Sequence, residues 1–265
     1  MTTETTPDSL PPVVPLASRV RRVATDRPWV WLTLGWRDLL ATRHIGLAYG
    51  AALAILGWVL SLLLFEIGVL WAILPATAGF FLVGPLVAAG LYETSRIREA
   101  GGTPTLADAA RGFRRNGAQI AYIGVALLVL HLFWVRMAGL IFMLFFGISG
   151  LPTVNELPFA LLRSDQLLPF LMIGTGVGFV IACVSFAIAA VSIPMLVDRQ
   201  DMSALEAVTV SIQACLDNWR AMALWAGLIV VLTGLALVPF YLGLLVVLPL
   251  IGHATWHAYR DLVIR

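Results

Sequence analysis

Apolar and polar positions segregate along this chain into long blocks, with polar residues confined to short segments between them. The apolar blocks run near the ~20 residues that a helix needs to cross the hydrocarbon of a bilayer. They predict spans at about 45–64, 67–92, 118–146, 167–197, 221–238 and 240–257. Helix is the expected state of each, because in lipid a backbone amide must find its partner within its own segment or in a closed barrel. The span 118–146 exceeds one crossing and has to tilt or project. Pro75 and Pro85 in the second span predict kinks.

Between spans the period changes. From Pro194 to Trp219 the chain reads PMLVDRQDMSALEAVTVSIQACLDNW, with Ser203 and Glu206 at the spacing of a capping box. Leu205, Val208, Ile212, Cys215 or Leu216, and Trp219 recur at three and four, while Glu206, Gln213 and Asp217 gather elsewhere. This predicts a helix lying flat on the cytoplasmic face, its apolar side packed on the bundle and its acidic side open to a partner. Thr105 and Asp108 form a second capping-box pattern. They open a short helix with Leu106, Ala110 and Phe113 on one side and Arg111, Arg114 and Arg115 near the other. The order of proline-marked exit, capped amphipathic helix and ascending span occurs around 85–125 and again around 194–228, a weak pseudo-repeat. A third proline exit stands at Pro249. Upstream, PWVWLTLGWRDLLATRH interleaves Trp29, Trp31 and Trp36 with arginines, which predicts an interfacial helix before the first span.

Composition agrees with this pattern. Of 265 residues 60% are hydrophobic and 12% charged, against roughly a quarter charged in soluble domains. The expected fold is all-α: a polytopic membrane bundle of about six spans, two cytoplasmic amphipathic helices and an N-terminal interfacial helix. Residues 1–27, rich in Thr, Ser and Pro, predict a disordered cytoplasmic tail, and 28–265 the membrane domain. The tail lacks the order of a cleaved signal peptide. All basic residues are arginine, and only Arg136 and Arg163 lie outside the predicted cytoplasmic segments. That bias predicts both termini inside a bacterial inner membrane. A net charge of +2 argues against nucleic acid as a partner.

GWRDL at 35–39, Tyr49 with Gly50, IPMLVDR, SALEAVTVS and the Asn218-Trp219 pair together resemble a family of bacterial integral inner-membrane proteins of unknown function, sometimes labelled cytochrome c oxidase subunits. The resemblance implies a multi-pass helical fold and no activity. Its label makes a respiratory membrane complex the implied partner besides the lipid bilayer.

Candidate chemistry is sparse. His253 and His257 stand one turn apart and could share a metal or haem, but no carboxylate accompanies them as in HExxH, so a structural role is favoured and no cofactor is expected. His131 and Arg136 are ionisable groups inside a predicted span, where such residues are costly and often functional. Glu66 could pair with Arg136. The small-residue run at Gly174 to Gly178 marks the fourth span as a candidate for the centre of the bundle. Cys183 and Cys215 read as small core residues, and no nucleotide motif is present. A non-catalytic accessory or assembly protein fits these features best; a small-solute transporter or channel built on the pseudo-repeat is the alternative.

Overall fold

A computed structural model describes residues 19–68, 84–147 and 164–264. Most of the predicted second span and of the loop at 147–166 lies outside the described residues. The ten described helices are α1 (Arg27–Ala41), α2 (Arg43–Glu66), α3 (Ala89–Glu99), α4 (Leu106–Gly112), α5 (Gly117–Phe146), α6 (Leu167–Ala189), α7 (Ser192–Asp198), α8 (Ala204–Asp217), α9 (Trp219–Leu237) and α10 (Leu244–Leu262). Four helical stretches are long and apolar enough to cross a membrane: α2, α5, the α6–α7 unit and α9. The region of the sixth predicted span, α10, is not among them, because its second half carries His253, His257, Arg260 and Asp261.

The amphipathic helices turn into crossing helices through one recurring joint. Thr42 between α1 and α2 has φ −122° and ψ 30°, Asn116 before α5 has φ −139° and ψ 52°, and Asn218 between α8 and α9 has φ −121° and ψ 32°. A ψ displaced from the helical value swings the following axis out of line. The joint residue is polar because it must satisfy the carbonyls that the bend frees. Thr42 Oγ1 donates to Asp38 O at 2.8 Å and Asn218 Nδ2 to Ala214 O at 3.2 Å, both four residues back. Asn116 Nδ2 instead donates to Met202 O at 2.9 Å, tying the elbow formed by α4 and α5 to the elbow formed by α8 and α9. The sequence pattern shows two copies of this unit; the backbone repeats the joint three times. Both capping boxes form, Thr105 with Asp108 and Ser203 with Glu206.

The large core cluster takes in Ile45, Ile120 and Ala221, each a few residues past one of the three joints, and so marks the hinge end of the bundle; it is built from Trp31, Tyr92, Trp225, Trp256, Tyr259 and the run Ile193 to Val197. Trp31 and Trp225 meet edge to face at 5.9 Å. The crossing helices themselves are mostly exposed, as helices that face lipid are. The helix that the others surround is α10, which packs on α1, α2, α3, α7 and α9. Glycines allow the approach: a Cβ on Gly35 would stand 2.6 Å from Ala254 N, and one on Gly50 would stand 2.4 Å from Leu245 Cα.

The expectation that the fourth span is central holds for its C-terminal part, where Ala189 to Val191 and Ile193 to Val197 join the core cluster, but not for its glycine run. On α6 a Cβ at Gly174 or Gly176 would meet no described atom within 4 Å, and only Gly178 is close to a neighbour, Trp134. Small residues permit close approach without specifying a partner. Cys183 on the same helix is exposed rather than part of the core, and Cys215 is partly buried.

Residues 19–26, placed by composition in the tail, are held by hydrogen bonds. Val20 bridges Val263, Arg21 N donates to Leu262 O and Ile264 N to Arg19 O. Asn218 adds a clamp, accepting from Val23 N at 2.8 Å and donating to Arg21 O at 3.1 Å.

Candidate functional site

The charged residues of α1, α3, α7 and α10 meet at the hinge end, and the buried Asp38 is a hub among them. On α1 the residues Trp31, Gly35, Asp38, Leu39 and Thr42 fall on one face at three-four spacing, so the carboxylate occupies a core position. Leu91, Thr94, Ser95 and Arg98 do the same on α3, and Gly252, His253, Trp256 and His257 on α10. Three inward faces thus each bring polar groups to one point.

Ser95 Oγ donates to Asp38 Oδ2 at 2.7 Å, His257 Nε2 stands 3.0 Å from the same oxygen, and Arg98 Nε donates to Oδ1 at 3.0 Å. Burial pushes the Asp38 carboxyl up, but the hydrogen bonds from His257, Ser95 and Arg98 outweigh it and hold the group at about 2. His253 Nδ1 lies 2.8 Å from Ser95 Oγ. The single Ser95 proton goes to the carboxylate, so the Nδ1 hydrogen of His253 points at Ser95. Its Nε2 faces Thr42 Oγ1 at 3.4 Å, but the Thr42 proton goes to Asp38 O, so this pair shares no hydrogen.

Serine, histidine and aspartate are the residue types of a nucleophilic triad, in which the histidine stands between the other two. Here Ser95 stands between Asp38 and His253. Its side chain is buried, as are His253 and Thr42, and this leaves no approach for a substrate. The two histidines serve different partners, so they do not converge as ligands. Among the described residues no group of three or more His, Cys, Asp or Glu is placed to hold a metal ion.

Around this hub the remaining charges are cross-linked. Arg260 joins Glu99 at 2.8 Å and Asp198 at 3.3 Å; Trp256 Nε1 donates to Glu99 and Tyr259 Oη to Asp198. Asp261 accepts from Arg27 at 2.7 Å and from Trp31 Nε1 at 2.9 Å. Glu93 pairs with Arg96 at 2.7 Å and Arg115 at 3.4 Å.

The surface residues singled out from the sequence are placed differently from expectation. On α8 the side packed on the bundle is Ala207, Val210, Ser211 and Ala214, whereas Leu205, Ile212, Leu216 and Trp219 are exposed. The helix therefore has three faces: Ala207, Val210, Ser211 and Ala214 inward, with Val208 and Cys215 of the expected apolar face half-buried against the core at their edge; Leu205, Ile212 and Leu216 outward; and a polar strip of Glu206, Gln213 and Asp217. Close helix packing selects small side chains, and that leaves the large ones for the lipid interface. Within the strip, Glu206 is committed to its capping box and Gln213 Nε2 donates to Asp217 Oδ1 at 2.8 Å. The hydrogen bonds from the Ser203 amide and hydroxyl hold the Glu206 carboxyl below its usual range. On α4, Arg111 pairs with Asp108 at 2.8 Å, and Arg115 also donates to Val197 O. Within α5, His131 Nδ1 is buried with no partner among the described residues. Arg136 and Glu66 are both exposed and form no ion pair with each other, because they extend from helices that do not meet there.

Residues 73–198, the segment that holds α3 to α7, match the family described as predicted integral membrane protein (DUF2189). No curated protein and no solved structure matches the chain. With four crossing-length helices, it is an integral multi-pass membrane protein.

Proposed function

We propose that this integral membrane protein is a non-catalytic accessory or assembly protein of the bacterial inner membrane, serving a larger membrane complex. The label carried by the sequence resemblance points to a respiratory complex. The observation that carries the reading is the state of the polar layer. Its acids, bases and hydroxyls are spent on one another, with the serine and the inner histidine closed to any substrate. Meanwhile α5 and α6 keep broad apolar faces uncovered by the described residues. A protein of this kind offers rigidity and lateral surface, and no reacting group.

The topology we propose has six crossings with both termini inside. The Val20–Val263 bridge supports it, because it holds the two ends together at the hinge end, as does the concentration of arginines there. Thr3→Cys and Asn155→Cys, each in a Cys183→Ala, Cys215→Ala background, should react oppositely with an impermeant thiol reagent. Labelling of Thr3→Cys from the periplasm ends the topology.

For the role, the protein is extracted in mild detergent and its migration on a native gel followed beside the respiratory complexes. Co-migration that survives purification of the complex from the other side supports it. Migration as the isolated chain, with respiratory activity unchanged on deletion, refutes it. The transporter reading keeps one specific support, the buried His131 nitrogen inside α5, which has no partner among the described residues. Solute flux into proteoliposomes that is lost in His131→Ala would turn the assignment that way.

A further inference from the structure

Between α3 and the α4–α5 connection lies an open recess of about 500 Å³ lined by Glu93, Arg96, Asp108, Arg111, Arg114 and Arg115. It exists because α4 lies directly on α3. A Cβ on Gly112 would stand 2.6 Å from Ala89 O, and one on Gly90 would stand 2.7 Å from Ala109 O. With the two backbones in contact, long side chains from both helices must splay around the same hollow.

Its charges do not balance. The nearly buried Glu93 carboxylate faces two guanidiniums, those of Arg96 and Arg115. Asp108 offsets Arg111. Arg114 is exposed and has no carboxylate partner among the described residues. Four guanidiniums thus share a hollow with two carboxylates, in contrast to the Glu99 network, where the single guanidinium of Arg260 serves both Glu99 and Asp198. Guanidinium forks match the paired oxygens of phosphate, and clustered arginines at the end of a crossing helix attract anionic headgroups. The surroundings fit the headgroup level, since α5 begins at Gly117, just past the recess. On α4 itself Leu106 is 50% and Phe113 39% exposed, apolar side chains placed to dip into the interface.

We propose that this recess binds the phosphate group of an anionic ligand, with a phospholipid headgroup as the source that the exposed Leu106 and Phe113 favour. The full chain, purified in detergent, is melted with added phosphatidylglycerol, with phosphatidylcholine, or with inorganic phosphate, following tryptophan fluorescence. Phosphatidylglycerol should raise the melting temperature and phosphatidylcholine should not. Arg111→Gln with Arg114→Gln should lose at least half of that rise. If the pair fails to fold, Arg114→Gln alone carries the test, since it breaks no ion pair. Arg220→Gln is the control. It removes an equal exposed charge, stacked on Trp219 beside the other elbow, and should keep the full rise. A rise with inorganic phosphate equal to that with the lipid, lost in the same variants, keeps the site and makes a soluble phosphate the source. The proposal falls if neither phosphate compound shifts the parent, if the double variant keeps the full rise, or if Arg220→Gln loses as much.

Discussion

Replacing Asp38 by asparagine tests whether the buried hub holds the hinge end together. The substitution preserves shape but deletes the charge, so Arg98 and His257 lose their anion and an amide NH2 is turned toward groups that are themselves donors. Two routes give the size. Lowering a carboxyl from 3.8 to about 2 in the folded state corresponds to roughly 2 kcal/mol favouring the ionised form, at about 1.4 kcal/mol per tenfold. Removing one partner of a buried pair costs about 3–5 kcal/mol, since the other charge is left uncompensated. A loss of about 3 kcal/mol lowers the melting temperature of a chain this size by roughly 6 °C or more. Melting is read in detergent by fluorescence, with Asp26→Asn, an exposed carboxylate, as control. Combining Asp38→Asn with Arg98→Gln should cost less than the sum of the two, because both remove the same contact. Because the folded pKa is depressed, the carboxyl's contribution is fully present above its ordinary 3.8 and is lost as pH falls through about 2. The parent's advantage over Asp38→Asn should therefore shrink in that window. A variant that melts with the parent at neutral pH would refute the hub.

Other outcomes follow from the packing. Gly50→Ala should destabilise by about 1–3 kcal/mol, because the new methyl meets the Leu245 backbone, while Gly174→Ala, with open space around it, should melt at or above the parent temperature. Val210→Asp buries a charge against the bundle and should abolish accumulation in the membrane; Leu205→Asp, at a position 78% exposed, should accumulate and loosen only membrane-surface contact, and equal loss in both would return α8 to a two-sided helix. Asn218→Ala removes the clamp on Val23 and Arg21, so limited trypsin digestion should cut faster after Arg21 or Arg22. Ser203→Ala should cost about 1 kcal/mol of stability through its lost cap, and an unchanged melt would show the box to be redundant.

What the sequence revealed depended on whether water or lipid was the alternative environment. The span at 118–146 and helix α5 coincide, the span at 45–64 lies within α2, and both capping boxes form where Thr105 and Ser203 stand, because these signals are local. The interior face of α8 was not legible. Large apolar residues mark the lipid side as readily as the core when the solvent is hydrocarbon, so Leu205 and Ile212 gave the wrong side and Ala207 and Ala214 passed unnoticed. His253 and His257 were visible as a pair, but their partners Asp38 and Ser95 come from distant segments. The available hint was a carboxylate in phase with Trp31 and Gly35, a polar group at a position whose neighbours all face inward. The central place of α10 was hidden for a related reason, since its polar half lowers its hydropathy.

The bond between the two ends of the chain also sets an order of manufacture. Ribosomes deliver α1 long before α10, and Asp38 meets His257, as Val20 meets Val263, only once α10 has left the tunnel. Until then α1 carries a carboxylate destined for the interior with part of its partnership unsynthesised. A product stalled before α10 thereby leaves α1 without its largest packing partner and Asp38 without His257, a mark that sets it apart from a chain in which α10 has docked.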